Sequence, residues 1–392
     1  MNEPARSLAA EGAAHARAHG SVAARRRLAA LLAPAGIELD GDRPWDIRVN
    51  DPGMPMRVLL GGSLGVGESY MDGAWDCDAL DEMFTRALRA AVDRQISPSQ
   101  RVLTRILSRL RNPQRGWRAF DVGRRHYDIG DDLYRRMLDV RMIYSCAYWR
   151  RAATLDEAQE HKLDLVCRKL KLEPGMRVLD IGCGWGGAAR FAAERYGVSV
   201  TGLTVSRHQH ATAREYCRGL PIEIRFEDYR AHVPAAGRYD RIFSIGMFEH
   251  VGERNYRTFF RRARELLAPD GLFLLHTIGV NVATPGIDPW IEKYVFPNSH
   301  LPSHAELARG AERCWIIEDW HNFGPDYDRT LLCWSRNIAA HWHELPACDE
   351  RFRRMWHFYL MSCAAAFRAR SNQLWQLVLS PGGRPGGYSE VR

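Results

Sequence analysis

The sequence predicts an α/β protein with a doubly wound, mainly parallel sheet, preceded by a smaller and mainly helical N-terminal domain. Three observations support this prediction. The chain has 392 residues, well above the roughly 150 residues of an average domain. From about residue 160, short apolar runs alternate with segments of helical periodicity, which is typical of βαβ units. Before that region, residues 78–92 have the pattern of an amphipathic helix.

Five apolar runs are predicted to form strands, and three segments between them to form helices. The strands are Met176–Ile181, Val198–Leu203, Ile222–Phe226, Tyr239–Ile245 and Gly271–Ile278. The helices are Gly187–Tyr196, Ser206–Arg218 and Tyr256–Leu267. Because strands separated by helices pair in parallel, these units predict the doubly wound sheet. Residues 364–379 have features of both a late helix and a late strand, and the pattern does not decide between them.

Composition and cysteine spacing narrow the class of protein. Hydrophobic residues make up 46% of the chain and charged residues 26%, which is typical of a globular protein and excludes a collagen-like or wholly disordered chain. No apolar run approaches the roughly 20 residues of a membrane-spanning helix, and no secretory signal is evident. The nine cysteines form no CxxC pair, so we expect free thiols in a reducing cytoplasm and no metal site.

A basic segment separates the predicted domains. The formal net charge is +8, and residues 101–125 contain eight arginines against one acid. Apolar residues recur at helical spacing between these arginines, so the segment could lie on an anionic membrane. The alternative is a solvated linker helix whose arginines pair with acids elsewhere. We predict an accessory, lipid-associating domain over 1–100, a basic linker over 101–118 and a catalytic domain over 119–392.

A glycine-rich turn follows the first predicted strand. Residues 178–187 contain the pattern D-x-G-x-G-x-G, which begins at Asp180. Glycine adopts positive φ without steric cost and lets a ligand approach the backbone closely. The pattern resembles motif I of the class I, Rossmann-like S-adenosylmethionine-dependent methyltransferases, in which the backbone cradles the methionine part of the cofactor. The alternative is a structural turn that binds no ligand.

The next two strands carry further candidate cofactor residues. Methyltransferases of this fold usually have an acid at the end of the second strand for the ribose hydroxyls, but here the strand ends in Thr204 and Val205. Gln209, which follows closely, could replace the acid as a neutral hydrogen-bonding partner. Asp228 and Tyr229 follow the third strand and are placed to meet the adenine, with an ordinary exposed turn as the alternative.

These departures resemble the cyclopropane-fatty-acyl-phospholipid synthases, which are similar to the mycolic acid cyclopropane synthases. The resemblance covers about residues 60–380, and it includes a likeness of residues 65–77 to the accessory domain of that family. It rests on long ordered motifs at His126–Leu133, Ile143–Trp149, Gly202–Ser206, Ser244–Gly252, Leu275–Gly279, Trp290–Pro297, Glu318–Gly324, Asp326–Thr330 and Ala366–Ser371.

The resemblance implies a methyltransferase that adds a methylene from S-adenosylmethionine across the cis double bond of a phospholipid acyl chain. Methyl transfer to the alkene leaves a carbocation, and a base must remove a proton before the ring closes, with water excluded. In this family the base is a bound bicarbonate. The implied partners are unsaturated acyl chains and the inner face of the membrane, bound peripherally. A homodimer is implied as well, and no nucleic acid partner is expected.

The resemblance also implies the site residues, position by position. The bicarbonate-holding residues map onto Cys146, Glu249, His276, Ile278 (through its backbone) and Tyr327, and Cys363 matches a further active-site candidate. The cofactor-binding residues are Tyr144, Ser145, Asp180, Gly182, Gly184, Thr204, Val205, Gln209, Asp228, Tyr229 and Ile245. From the residues alone, Cys146 could equally be a small buried apolar group, as most free cysteines are.

Three aromatic residues, Tyr144, Tyr148 and Phe248, are expected near the cofactor or the substrate because aromatic faces stabilise cations. His250 is expected to face away from Glu249, since neighbouring side chains alternate if that segment is extended.

Three rival functions stay open. The same carbocation could be reduced to a methyl branch, but no flavin or nicotinamide fingerprint is visible. The charge of +8 could suit an RNA methyltransferase, but a base-recognition motif such as NPPY is absent. A non-catalytic lipid-binding scaffold is the third, and the full set of catalytic residue types argues against it.

Overall fold

A computed structural model describes residues 21–92, 131–284 and 286–392. The arginine-rich segment 101–125, the predicted linker 101–118 and all but the end of the motif His126–Leu133 lie outside the described residues. The predicted domain boundaries therefore stay predictions.

The described N-terminal region is mainly helical. Residues 21–32 are helical, and strand β1 (Arg48–Val49) precedes helix α1 (Met54–Met71). Strand β2 (Trp75–Asp76) pairs with β1 in the antiparallel direction, and helix α2 (Leu80–Arg89) follows. Helix α2 lies within the segment predicted to be an amphipathic helix.

The glycines of residues 61–77 serve helix bending and close packing. Helix α1 is kinked at Gly62, where φ is 55° and ψ is −137°. A Cβ atom on Gly67 would overlap the indole ring of Trp290, and one on Gly65 would overlap the carbonyl group of Arg57. The glycines therefore allow α1 to bend and to contact its neighbours at distances that a larger residue would prevent.

The rest of the described chain is an α/β unit. Its helices are α3 (Asp131–Met137), α4 (Leu155–Lys169), α5 (Gly187–Tyr196), α6 (Arg207–Tyr216), α7 (Tyr256–Leu266), α8 (Pro289–Tyr294), α9 (His304–Ala311), α10 (Pro325–His341) and α11 (Glu350–Arg368). Its strands are β3 (Arg177–Ile181), β4 (Ser199–Thr204), β5 (Ile222–Phe226), β6 (Tyr239–Ile245), β7 (Leu267–Val280), β8 (Ile316–Asn322) and β9 (Asn372–Ser380).

The seven strands form one sheet in the order β5-β4-β3-β6-β7-β9-β8. Strands β3 to β7 are parallel, and β9 is antiparallel to both β7 and β8. The chain moves outward from β3 to β5 and then returns to the other side of β3 with β6. This reversal of strand order creates a crevice at the carboxyl ends of the strands, where ligands bind in such sheets. The predicted α/β class with a mainly parallel sheet is confirmed.

Two features at the end of the sheet differ from the sequence pattern. Strand β8 was not predicted, because it lies at the sheet edge, where Ile316 and Ile317 are exposed and the alternation of apolar and polar residues is weak. Residues 364–379, for which the pattern did not decide between a helix and a strand, contain the end of a helix and most of a strand. Helix α11 ends at Arg368, and β9 begins at Asn372.

Side-chain caps at helix starts fix the path of the chain around the crevice. Helix α4 begins with a capping box, in which Thr154 Oγ1 accepts from the Glu157 amide at 3.3 Å and Glu157 accepts in return. Helix α6 begins at a cap where Ser206 Oγ accepts from the Gln209 amide at 3.3 Å. Each cap thereby fixes where its helix starts.

The described N-terminal helices share an apolar core with the C-terminal helices. Two clusters cover the two faces of the sheet, one of them built around Phe259 and Phe260 of α7. A third cluster joins Trp75 of the N-terminal region to Trp334 of α10 and Trp356 of α11. The N-terminal region is thus packed onto α10 and α11. No helix in the described ranges is both long enough and apolar enough to cross a membrane.

Arginines of α11 connect the N-terminal region to the helix that carries Tyr327. Arg368 lies 2.7 Å from Asp81 Oδ2 of α2 and donates at 2.9 Å to Asp328 Oδ2 of α10. Arg354 donates to the carbonyl oxygens of Tyr70 at 2.5 Å and Trp75 at 2.9 Å. These side chains are partly buried, so their hydrogen bonds are weakly exposed to competition from water.

Replacing Arg368 by methionine would leave Asp81 and Asp328 without their shared partner and would also remove a contact at 3.7 Å with Glu82. We expect the free energy of unfolding to fall by about 1–3 kcal/mol, which is typical for lost hydrogen bonds to charged groups. Urea denaturation measures the change. The control is Arg257→Met, which removes an exposed pair at 3.8 Å and should shift stability by less than about 0.5 kcal/mol. An equal loss in both variants would contradict a bridging role for Arg368.

Candidate active site

A cavity of about 200 Å³ lies at the crevice formed by the carboxyl ends of β3, β4 and β6. Its wall is built from the turns after β3, β4, β5 and β6 and from residues 142–145. All eleven residues that the sequence predicts to bind cofactor lie in this wall: Tyr144, Ser145, Asp180, Gly182, Gly184, Thr204, Val205, Gln209, Asp228, Tyr229 and Ile245. Their convergence agrees with a cofactor site, although contact with the cofactor stays a prediction.

The glycine-rich turn between β3 and α5 has the conformation that its sequence demands. Gly182, Gly184 and Gly186 have φ values of 92°, 54° and 87°, which side chains with a Cβ atom rarely adopt. A Cβ atom on Gly187 would overlap the carbonyl oxygen of Arg141. The turn therefore brings the backbone against both the cavity and the segment 142–145.

The turn after β4 presents an amide where related methyltransferases have an acid. Thr204 Oγ1 donates to Gln209 Oε1 at 3.1 Å, and the Ser206 amide donates to Thr204 Oγ1 at 3.2 Å. The Gln209 side-chain oxygen is thus engaged, and its NH₂ group is the part that can donate to a ligand. An NH₂ group in this position suits hydroxyl oxygens of a ligand, which can accept hydrogen bonds from it.

The turn after β5 is fixed by charged and aromatic contacts. Asp228 Oδ1 accepts from Arg230 Nε at 2.9 Å, and Glu227 Oε2 lies 2.9 Å from His232 Nδ1. The ring of Tyr229 packs edge-on against Phe259 at 5.3 Å between centroids. Because these side chains hold one another, the turn forms a rigid wall for a flat group.

None of the six predicted catalytic residues lies in the wall of this cavity. They come from five separate places in the fold: Cys146 follows the segment 142–145, Glu249 lies in a 3-10 turn (Phe248–His250), His276 and Ile278 are on β7, Tyr327 is on α10 and Cys363 is on α11. Segment 142–146 therefore begins at the cofactor cavity and ends among predicted catalytic residues.

The structure brings most of this set close to Tyr327. Burial raises the pKa of Tyr327, and nearby Cys146, Glu249 and Cys363 raise it further. Glu249 Oε1 accepts from the Ile278 amide at 2.7 Å. His276 precedes Ile278 by two residues on β7, so the two residues share one face of the sheet. These residues form what we call the catalytic cluster: Cys146, Glu249, His276, Ile278, Tyr327 and Cys363.

Two polar atoms of the catalytic cluster are buried without a hydrogen-bond partner among the described residues, Glu249 Oε2 and His276 Nε2. Gln376 Nε2 lies 3.3 Å from His276 Nδ1. With the Gln376 amide oriented so that its NH₂ group donates to Nδ1, the proton of neutral His276 is assigned to Nε2. Burial keeps His276 neutral by lowering its pKa, and burial raises the pKa of Glu249 to about 7. The cluster thus holds an unused donor and an unused acceptor.

The two cysteines of the cluster are neutral thiols. Burial raises the pKa of Cys146 well above its usual value, and burial raises that of Cys363 to about 12. Cys146 Sγ donates to the Ala147 carbonyl oxygen at 3.2 Å. Neither side chain therefore has the thiolate character that a nucleophile requires.

His250 differs from the expectation based on an extended segment. Residues 248–250 form a 3-10 turn, and His250 lies in the wall of the cofactor cavity, whereas Glu249 does not. The two side chains do diverge, but through a helical turn. His250 Nδ1 lies 3.1 Å from Ser299 Oγ, and the amide of His300 donates to the Glu249 carbonyl oxygen at 2.8 Å. Residues 299–300 thus fix the turn that carries Glu249.

The three aromatic residues expected near the cofactor or the substrate lie in different surroundings. Tyr144 lies in the cavity wall, and its hydroxyl group is 2.8 Å from that of Tyr359. Phe248 is fully buried and stacks on Tyr256 at 4.3 Å, outside the cavity wall. Tyr148 packs edge-on against Phe323 at 5.3 Å. Tyr144 is thus the member of the three that reaches the cofactor cavity.

The sequence reasoning missed Lys162, a charged residue in the cavity wall. Lys162 lies on the buried face of α4, between Ala158 and Leu165. A lysine at a position where helical periodicity requires an apolar residue was the available signal.

One group of side chains in the described ranges could hold a metal ion, Glu253, His300 and Glu306. Glu306 Oε2, however, accepts from both the amide and the hydroxyl group of Ser303, in the capping box of α9. Glu306 thus already serves the cap of α9.

Known proteins similar to this chain share both its sequence and its fold. The family model for mycolic acid cyclopropane synthetase matches residues 114–377. The cyclopropane-fatty-acyl-phospholipid synthase of Escherichia coli K12 is 51% identical over 354 residues, which are 90% of this chain and 92% of the relative. The cyclopropane synthase MmaA2 from Mycobacterium tuberculosis is 33% identical, with a TM-score of 0.62 over 66% of this chain and 97% of that structure.

A solved structure of the mycolic acid cyclopropane synthase CmaA1, complexed with SAH and CTAB, is 33% identical with a TM-score of 0.61 and covers 66% of this chain and 97% of that one. These findings confirm the class I methyltransferase fold, S-adenosylmethionine as the cofactor and the resemblance found in the sequence. The chain belongs to the cyclopropane-fatty-acyl-phospholipid synthase family of S-adenosylmethionine-dependent methyltransferases.

Proposed function

We propose that this enzyme closes cyclopropane rings on the cis double bonds of unsaturated phospholipid acyl chains at the membrane surface, with a bound bicarbonate as the base. The observation that carries the proposal is the pair of unpartnered buried atoms, Glu249 Oε2 and His276 Nε2. They lie in a cluster that segment 142–146 joins to the cofactor cavity. A buried donor and a buried acceptor without partners indicate a small polar ligand.

The reaction requires a strong electrophile, because an isolated alkene is a weak nucleophile. S-adenosylmethionine supplies it as a sulfonium methyl group, which the cavity must hold close to the acyl chain. Tyr144 lies between the cavity and an aromatic group that includes Trp334, at 5.2 Å between ring centroids, and Tyr359. Aromatic faces here would line an apolar path for the chain and stabilise its positive charge.

Water must be kept from the carbocation, or an alcohol would form. Cys146 is fully buried, and Glu249 and His276 are 6% and 1% exposed. The catalytic cluster is therefore a dry environment in which hydrogen bonds to an anion are strong.

The residues present fit bicarbonate. His276 Nε2–H and the Tyr327 hydroxyl group can donate to its oxygens, and Glu249 Oε2 can accept its O–H. When bound, bicarbonate would supply the base that removes the proton from the new methyl group. Glu249 is positioned by the Ile278 amide, which donates to Oε1 at 2.7 Å. The role of Ile278 in this proposal is thus to orient Glu249, whereas the resemblance implies a direct contact with the anion.

Cys146 and Cys363 contribute packing and not a covalent step in this proposal. Cys146 is buried and Cys363 is half-buried, both lie near Tyr327, and small polarizable groups fill such sites well. The homodimer and the position at the inner face of the membrane also stay predictions.

Incubation with S-adenosylmethionine, bicarbonate and vesicles of monounsaturated phospholipid tests the function directly. We expect acyl chains that gain one CH₂ and lose their olefinic proton signals, measured by mass spectrometry and NMR. A saturated methyl-branched chain would support the alternative route of reduction. No product, with cofactor binding intact, would refute the lipid substrate and favour the RNA or scaffold alternatives.

Glu249→Gln tests the acceptor in the catalytic cluster. We expect turnover to fall by roughly 10²–10⁴-fold, because the neutral amide accepts the bicarbonate O–H poorly and loses acid–base function. Vesicle co-sedimentation should not change. The control is Glu318→Gln at the edge strand β8, which removes a carboxylate that accepts from Ser380 and the Arg384 amide. Full activity in Glu249→Gln would contradict the assignment.

Removal of bicarbonate tests the base. In buffers stripped of carbon dioxide, we expect product formation to fall by at least about tenfold and to recover on addition of sodium bicarbonate. Sodium chloride at equal ionic strength is the control. The variant His276→Phe, which lacks the Nε2–H donor, should need more bicarbonate for half-maximal rate. A rate independent of bicarbonate would exclude this base.

Membrane binding is proposed for the basic segment outside the described residues. Arg105→Glu, Arg109→Glu and Arg111→Glu together should weaken co-sedimentation with anionic vesicles by at least about tenfold, since each basic residue near an anionic surface contributes roughly 1 kcal/mol. Neutral phosphatidylcholine vesicles are the control. Unchanged binding to anionic vesicles would refute the idea.

A further inference from the structure

A group of three potential metal ligands lies outside both the cofactor cavity wall and the catalytic cluster. We call it the His300 group, and its members are Glu253, His300 and Glu306. One ligand atom from each residue lies within 4.8 Å of the other two. Glu253 begins a 3-10 turn (Glu253–Asn255), whereas His300 precedes the capping box of α9 and Glu306 belongs to it. The fold thus joins an imidazole and two carboxylates from segments that are distant along the chain.

The His300 group is buried on one side and open on the other. His300 is 9% exposed and Glu306 is 4% exposed, whereas Glu253 is an exposed residue. A cation from solvent could therefore enter past Glu253 and meet His300 and Glu306 in a partly dry environment. Burial strengthens the attraction between a cation and carboxylate oxygens, because the local dielectric is low.

Two buried polar atoms at this group have no hydrogen-bond partner among the described residues, His300 Nε2 and the hydroxyl group of Tyr256. His300 Nε2 lies 3.5 Å from Glu306 Oε1, which is beyond the usual hydrogen-bond range. Tyr256 is 2% exposed, and its ring centroid is 6.1 Å from that of His300. Burial raises the pKa of Tyr256, and nearby Glu306, Glu249 and Glu253 raise it further. Unpartnered buried atoms beside carboxylates indicate a ligand that satisfies them.

The capping role of Glu306 leaves one of its oxygens for a ligand. Glu306 Oε2 accepts from the Ser303 amide at 2.7 Å and from the Ser303 hydroxyl group at 2.8 Å. Glu306 Oε1 is the oxygen that lies toward His300. Hydrogen bonds to the second oxygen of a carboxylate orient it as a metal ligand. Capping and metal binding are therefore compatible at Glu306.

An ion pair between protonated His300 and Glu306 is the alternative interpretation. Such a pair would use neither Glu253 nor the Tyr256 hydroxyl group, and it would not bind zinc. The two interpretations therefore differ in whether Glu253 is needed and in whether the group takes up a metal ion.

We propose that Glu253, His300 and Glu306 bind a divalent transition-metal cation of the zinc class, with water completing its coordination. One imidazole and two carboxylates are a donor set that zinc accepts, whereas magnesium and calcium take oxygen ligands. Ligand atoms around one tetrahedral zinc ion lie about 3.3 Å apart, so a small contraction of the group would suffice. The cysteine spacing predicted no metal site, because that pattern addresses thiolate ligands.

A cation at this site would restrain the turn that carries Glu249. The His300 amide donates to the Glu249 carbonyl oxygen at 2.8 Å, and Ser299 Oγ lies 3.1 Å from His250 Nδ1. Glu253 follows the same turn on its other side. A cation bound to both Glu253 and His300 would therefore connect the two segments that flank the turn, without contact with the substrate or the cofactor.

Calorimetric titration of the metal-free full chain with zinc chloride tests the proposal. We expect one zinc ion per wild-type chain. Loss of a group that only orients a metal ligand weakens binding about 10- to 100-fold, so Glu253→Gln and His300→Gln should each weaken it by at least about 100-fold. The matched control is Glu312→Gln, an exposed acid next to α9 that pairs with Arg257 at 3.8 Å, and this variant should keep the wild-type affinity.

Cobalt(II) distinguishes the His300 group from the cysteines, which could also bind zinc. Cobalt bound by nitrogen and oxygen ligands gives visible d–d bands without a thiolate charge-transfer band. We expect this spectrum for the wild type and for Glu312→Gln, and its loss in Glu253→Gln. A thiolate charge-transfer band of equal intensity in all three proteins would place the ion at cysteine and overturn the proposal.

Three other results would also overturn it. These are no zinc binding by the wild type, equal zinc affinity in the wild type and Glu253→Gln, and binding of magnesium as tight as that of zinc. Glu253 is exposed, so its substitution should not unfold the chain, and circular dichroism checks this. If His300→Gln does not fold, Glu253→Gln alone decides the test. Zinc binding is measured without lipid, so failure of the proposed function would not affect the result.

Discussion

Both functional regions depend on the path of residues 143–146. The segment begins in the wall of the cofactor cavity with Tyr144 and Ser145 and ends at Cys146 beside Tyr327. Buried hydrogen bonds from α4 hold it, and the turn at Gly187 approaches the preceding Arg141 so closely that a side chain would not fit. A backbone held from both sides has little freedom to move. The distance between the cavity and the catalytic cluster is therefore set by packing and buried hydrogen bonds.

Burial affects the ionisable groups of both regions in the same way. In the cavity wall, burial shifts the pKa values of Lys162 and Asp180 toward neutrality, and in the catalytic cluster it does so for Glu249. The largest cause of each shift is the cost of burying the charged form of the group. A ligand with complementary groups would compensate it. The low dielectric of both regions would strengthen each contact with such a ligand.

The N-terminal region contributes to the site indirectly, through the helices on which it packs. It shares an apolar cluster with α10 and α11, which carry Tyr327 and Cys363. Arg368 adds charged contacts from α11 to both α2 and α10. The glycines of α1 allow the close approach of Trp290. The helices that carry two of the predicted catalytic residues are therefore packed on a core that the N-terminal helices complete.

The parallel strands and the cavity wall could be read from the sequence because their signals are local. Short apolar runs, helical spacing and the positive φ of the glycine turn are each encoded within about ten residues. Strand β8, the 3-10 turn at Glu249 and the cavity position of Lys162 could not be read in this way. Edge pairing of β8 with β9 joins residues about sixty apart in the chain, and the charge of Lys162 is tolerated because of groups on other segments. The sequence by itself determined the class of fold and the residue types of the site. Only the tertiary structure brought these residues together and decided which buried polar atoms have no hydrogen-bond partner among the described residues. The reason is that burial and hydrogen bonding depend on neighbours that are distant along the chain.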